Sequence, residues 1–294
     1  MNFTTPTDLL DSLLKDRLPA DQYDWLQERL TLLNNDESLR DIHISFGLIP
    51  RRLGRLDLAA TSEENAQAAS IVTGWQLSGW SIDMTARVLL LCTIAQKTNR
   101  NFGEMFKSMC QTADLGESIS LYKAIALYPQ SDELDKQIGE GLRTSIQAVF
   151  EAIAHDNPYP AQHFSELRWN HMVLKALFVD STLYPIQGLD DRANPELARI
   201  LCDYAHERWA AGRAVTPELW RCVGPFAKDN MIDDLQRALE SNITLEQQGA
   251  VLALSSCPDP RALKLLESYP EQTQAVANGV LSWDSIDRQI NQQA

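Results

Sequence analysis

The chain reads as an all-α protein, and three observations carry that reading. Leu occurs 40 times against 10 Val, a ratio that favours helix because straight-chain residues lose little rotamer freedom there while β-branched ones are stiff. Apolar residues recur at helical spacing, as in Leu9, Leu10, Leu13, Leu14, Leu18 and again in Trp25, Leu26, Leu30, Leu33. No alternating run joined by an Asn-Gly or Asp-Gly turn appears.

Taken in order, the pattern predicts helices over 7–18, 21–34, 36–46, 63–78, 81–98, 102–113, 116–128, 131–155, 163–180, 195–211, 216–227, 230–241, 244–256, 260–268 and 283–292. Start signals are clearest near the C-terminus. Asn194-Pro195, Thr216-Pro217 and Asp259-Pro260 each set a capping side chain before a proline at the first helical position. Helices of this length with short connections suit an array of antiparallel hairpins. From Asp233 onward they shorten and take the spacing of HEAT-like, solenoid-forming hairpins. Pro158 and Pro160 suggest a division of the chain into 1–156, an N-terminal helical array, and 157–294, a C-terminal helical region.

The 294 residues are 44% hydrophobic, enough for a substantial core. A net charge of -14 disfavours non-specific binding to nucleic acid or to anionic lipid. No apolar run approaches the roughly 20 residues of a transmembrane helix, and the N-terminus lacks a secretory pattern. Five scattered cysteines without a C-x-x-C pair read as thiols of a reducing compartment. The expectation is a cytoplasmic protein.

Several clusters have residue types that could do chemistry. Asp203, His206 and Glu207 share one helix face and could ligate a metal, but Arg199 and Arg208 around them also make the pattern of a salt-bridged surface, so no metal or cofactor is expected. His171 and Lys175 lie one turn apart on an apolar helix, where desolvation would draw both pKa values towards neutrality and allow anion binding or proton transfer; a snorkelling lysine beside a satisfied core histidine is the commoner arrangement. Asn170 suits a bond to a helix end or loop carbonyl. Asp190 and Asp191 precede a helix N-terminus, where acidic residues are favourable electrostatically. Arg51, Arg52 and Arg55, in the irregular stretch from Phe46 to Ala60, could clamp a phosphate or carboxylate. Trp75 and Trp80, each after a glycine, could line a pocket or pack in the core. No phosphate loop, nucleophile motif or zinc-finger spacing is present.

The block Pro158-Tyr159-Pro160 through His163-Phe164-Ser165-Glu166-Leu167-Arg168-Trp169-Asn170-His171 to Lys175-Ala176-Leu177-Phe178 resembles the signature stretch of the EboA-domain family. So do Gly188-Leu189-Asp190-Asp191-Arg192-Ala193-Asn194-Pro195, Asp203-Tyr204-Ala205-His206-Glu207-Arg208 continuing to Arg213, and Pro217-Glu218-Leu219-Trp220-Arg221. The resemblance implies a place in specialised-metabolite traffic across the inner membrane, beside a prenyltransferase, a hydrolase and a dehydroquinate-synthase-like enzyme. It transfers no catalytic set. The polar positions it singles out are Asn170, Lys175, Asp190, Arg192, Asp203, His206, Glu207, Arg208, Arg213 and Arg221.

Two functions follow as expectations. One is a non-catalytic scaffold or carrier that binds other proteins of its pathway and a hydrophobic small molecule. The other is an enzyme acting on an anionic or prenylated metabolite, which requires Lys175 and His206 to meet in an enclosed cavity and fails if Asp203, His206 and Glu207 all face solvent.

Overall fold

A computed structural model of the chain describes residues 3–35, 38–97 and 101–293. Among them there is no β-strand, only an isolated bridge between Asp57 and Ser81. The fold is all-α, and it separates into two compact units, Met1–Gln162 and His163–Ala294.

The first unit contains α1 (Pro6–Arg17), α2 (Ala20–Asn35), α3 (Leu39–Leu53), α4 (Ser62–Ile71), α5 (Ile82–Ala95), α6 (Phe102–Thr112), α7 (Leu115–Lys123), α8 (Asp132–Leu142) and α9 (Gln147–Ala154), with the short α10 (Tyr159–His163) at its end. Its centre is α5, which packs against α1, α2, α3 and α7. The run Val88-Leu89-Leu90-Leu91-Cys92 is buried throughout, as expected of a helix covered on all sides. Ser81 caps it, accepting from the Met84 N–H. Capping boxes open α4 at Thr61 and α7 at Asp114. Trp75 and Trp80 sit in this core with ring centroids 6.0 Å apart, both buried.

A guanidinium lies deep in that core. Arg87 is 1% exposed. Its Nη1 donates to Asp83 at 3.1 Å, its guanidinium lies over the Phe46 ring at 5.1 Å, and its Nε donates to the Phe46 carbonyl at 3.2 Å. The last bond has a local cause. Pro50 stands inside α3, and having no N–H it cannot donate to the carbonyl four residues earlier, which is that of Phe46. Arg87 supplies the missing donor from a neighbouring helix, and this is how α3 continues through a proline.

The second unit contains α11 (Glu166–Phe178), α12 (Pro195–Ala210), α13 (Asn230–Leu239), α14 (Thr244–Ser255), α15 (Pro260–Leu266), α16 (Pro270–Ala277) and α17 (Trp283–Gln293). Its centre is α14, packed against α13, α15, α16, α17 and the 3-10 turns at Pro217–Arg221 and Gly224–Phe226. Two glycines allow this approach. A Cβ on Gly224 would stand 2.4 Å from the Ala253 carbonyl oxygen, and one on Gly249 would stand 2.7 Å from the Pro217 ring.

Several expected elements change. The 36–46 helix runs instead over Leu39–Leu53, so Arg51 and Arg52 are helical rather than part of an irregular stretch; its expected first residues, Asp36 and Glu37, lie outside the described residues. The 63–78 helix stops at Ile71, ahead of a turn with Gly74 at φ +83°. The 81–98 helix ends at Ala95, and position 98 is outside the described residues. The 131–155 helix is two, interrupted between Leu142 and Gln147. The 163–180 helix begins at Glu166, capped by Ser165. Position 216 starts a 3-10 turn rather than an α-helix, and Thr216 makes no capping bond. A helix the periodicity did not reveal, α16, buries none of its residues, so it carries no apolar stripe.

If Arg87 serves both Asp83 and the proline-orphaned carbonyl, Arg87→Met should cost about 3–5 kcal/mol by leaving a buried carboxylate unpaired. Adding Pro50→Ala should recover part of that loss, because the alanine N–H restores the helical donor to Phe46. Urea denaturation of the two single variants and the double variant measures the coupling.

Candidate functional site

The signature blocks converge on the pairing of α11 with α12. Asn170, 2% exposed, exchanges two amide hydrogen bonds with Asn194: its Nδ2 donates at 3.2 Å and its Oδ1 accepts at 2.9 Å. Asn194 also accepts the Leu197 N–H at 2.8 Å, capping α12, and donates to the Arg192 carbonyl at 3.1 Å. Arg192 in turn lies over Trp169, 4.6 Å from the ring centroid, and donates to the Phe164 carbonyl at 2.7 Å. At the other end of the pair Tyr204 donates to the Leu177 carbonyl at 3.1 Å, and its ring meets that of Phe178 at 4.9 Å with the planes tilted by 60°. Position 170 thus meets 194, and 178 meets 204, so the two helices run side by side in the same direction, joined by the long segment 179–194.

That segment is held from the far side. Glu218 is 4% exposed, and its two carboxylate oxygens accept the N–H groups of Leu183 at 3.0 Å and Tyr184 at 2.8 Å. Burial raises its pKa, with the backbone donors opposing the shift. Arg221 grips Asp190 through two bonds of 2.6 and 2.7 Å. Glu218 also faces a small cavity of about 130 Å³ shared with Leu177, Asp180, Tyr204 and Arg208.

The other sequence-derived residues are dispersed. Asp203 pairs with Arg199 at 2.6 Å, and His206 Nε2 lies 2.6 Å from Asp234 on α13. Glu207 and Arg213 are exposed, and Arg208 donates to the Ala214 carbonyl. Asp203, His206 and Glu207 all face solvent, with Asp203 turned to Arg199 on its own helix and His206 to Asp234 on α13. Among the described residues no group of three His, Cys, Asp or Glu side chains is placed to hold a metal. Lys175 is half-buried, and desolvation lowers its pKa. His171 is exposed. In the first unit Arg51, Arg52 and Arg55 are exposed at the C-terminal end of α3 and just beyond it, with Arg52 6.0 Å from the Trp25 ring.

Sequence reasoning missed a groove of about 410 Å³ between α11 and α12. Asn170 and His171 line it, together with Leu167, Leu174 and Ile200, and with Glu166, Glu196 and Arg199 at its edges. Leu167 and Phe178 are 66% and 60% exposed. The available signal was the spacing of 167, 171, 174 and 178, which makes a second stripe on a helix whose other face is already apolar.

Two outcomes test this construction. Asn194→Ala removes the α12 cap and leaves the Asn170 amide buried without its partner, and it should lower stability by about 2–4 kcal/mol. Raised folded-state pKa for an acid means that the native state holds the proton longer than the unfolded chain, so Glu218 makes stability fall as pH rises from the ordinary carboxylate range through its elevated value. Denaturation midpoints measured against pH should show that decline in the parent chain and not in Glu218→Gln.

No helix among the described residues is long and apolar enough to cross a membrane. No curated protein and no solved structure matches the chain. A family model does match, over residues 6–224, which takes in α11, α12, the Asn170–Asn194 pair and the Glu218 clamp. With most of its length so matched, the chain belongs to the EboA family, described as metabolite traffic protein EboA.

Proposed function

We propose that this chain serves metabolite traffic as a non-catalytic helical adaptor, acting in the cytoplasm and holding proteins of its pathway together. The observation that carries the reading is how the polar residues of the signature blocks are used. Asn170, Asp190, Arg192 and Arg221 are spent on holding α11, α12 and the segment between them, by the bonds given above. What those bonds hold in place is a surface: an apolar row on α11 that faces solvent beside a row of carboxylates on α12. A rigid scaffold that presents a surface fits recognition better than turnover, which calls for convergent groups in a water-excluding pocket.

The test is deletion of the gene in a producing host, followed by quantification of the pathway product in cells and in medium. An adaptor for traffic leaves total product near its parental level and changes its distribution between the two. Loss of the product with accumulation of one precursor would mark a missing catalytic step and would overturn the proposal.

A further inference from the structure

We infer that the groove between α11 and α12 is a docking site for a cationic amphipathic helix of a partner protein. The floor supplies the apolar half of the argument. Leu167, His171 and Leu174 line it, and Phe178 continues their face of α11 beyond the lining, the four standing at i, i+4, i+7 and i+11 over about 16 Å of helix axis. Ile200 completes the floor from α12. Leu167 and Phe178 keep most of their surface in water, an arrangement that hydrophobic burial by a partner would relieve. A stripe of three helical turns matches the i, i+3/i+4, i+7 anchors of a docked helix. A small molecule fits less well, because a compact ligand would leave much of a row about 16 Å long wet.

The rim supplies the charge. Glu196 and Arg199 line one edge of the groove and Glu166 the other, and Asp203 and Glu207 continue the exposed face of α12 at i+7 and i+11 from Glu196. The one cation in this set is already engaged: Arg199 donates to both oxygens of Glu196, at 3.0 and 2.7 Å, and to Asp203 at 2.6 Å. Two carboxylates at the edges and two more farther along the same face of α12, against one committed guanidinium, leave this surface net negative, within a chain of net charge -14. Lys and Arg flanking an apolar stripe are the complement of this surface, and such charges would also raise the rate of encounter.

This inference rests on the adaptor reading and names what the adaptor holds. The probe is a fluorescein-labelled Leu/Lys amphipathic peptide of about 18 residues, titrated with the full chain by fluorescence anisotropy, with a Leu/Glu peptide of the same pattern as control. The expected result is saturable binding of the cationic peptide, absence of binding by the anionic one, and at least a tenfold loss with Leu167→Asp and with Leu174→Glu. Glu196→Gln with Asp203→Asn should weaken binding and flatten its salt dependence. Leu167 is mostly solvent-exposed, so Leu167→Asp should keep the parental circular dichroism and melting temperature. Equal binding by the parent and the groove variants, or no binding at all, overturns the inference.

A photo-crosslinking amino acid at position 171 in the producing host separates the classes of occupant. An adduct with a pathway protein, mapped to a basic helical segment, supports the inference, while an adduct carrying only a small-molecule mass overturns it. Complementation of the deletion strain keeps the two claims apart. If Leu174→Glu restores normal product distribution, the groove is dispensable although the traffic role stands; if deletion itself leaves distribution unchanged, the traffic role falls whatever the peptide does.

Discussion

The reciprocal amide pair of Asn170 and Asn194 is the constraint on which the site depends. Two neutral hydrogen bonds contribute only about 1 kcal/mol each when made, yet the buried Asn170 amide left alone would cost more than that. The pair therefore acts chiefly by excluding alternatives. It fixes the axial register of two parallel helices, it places the cap that starts α12, and through the Arg192 carbonyl it anchors the loop whose arginine covers Trp169. Slide α11 by one residue and all three are lost together. A parallel pair cannot be joined by a tight turn, so the segment 179–194 must make the return journey. Glu218 and Arg221 hold that segment by its backbone and by Asp190.

Both units solve the problem of a central helix in the same way and pay differently in polar groups. Around α5 every direction is occupied, and the one guanidinium inside is matched to a carboxylate, an aromatic face and an orphaned carbonyl. Around α14 the approach is so close that side chains have been removed from the opposing backbone, at Gly224, and from the helix itself, at Gly249. Burial also disarms the thiols. Cys92, Cys110, Cys202 and Cys222 are each pushed up to about 12 by desolvation, far from the range in which a thiolate is available.

How much of this was legible in the sequence depends on whether the determining interaction was local. Asn194 and Asp259, each one residue before a proline, do cap α12 and α15, because a cap is decided within a few residues. Thr216 has the same local pattern and makes no cap bond; the chain there is a 3-10 turn lying close against Gly249 of α14, a contact from outside the local sequence. Pro50 fell in the stretch read as irregular, and the donor that satisfies the carbonyl it orphans inside α3 comes from a side chain 37 positions away. The site divides likewise. The residue types at 170, 190, 192 and 221 drew attention, but their partners come from other turns and helices, so their structural use was invisible. The groove was missed because α11 has apolar residues on two faces, and a sequence does not say which face a neighbour covers.

The close packing of α14 on Pro217–Phe226 has a consequence for the boundaries of the family itself. The matched region ends at residue 224, while α14 begins at Thr244. Leu219, Trp220 and Val223, all fully buried, lie at the edge of the matched region, and the helix at the centre of their unit is not in it. Homology and foldability thus divide this chain at different places. A fragment cut at the limit of recognisable kinship would keep both rows of the groove and the amide pair between them, and would expose the aromatic underside on which that architecture rests. The C-terminal helices supply the surface against which the last turns of the matched segment are buried.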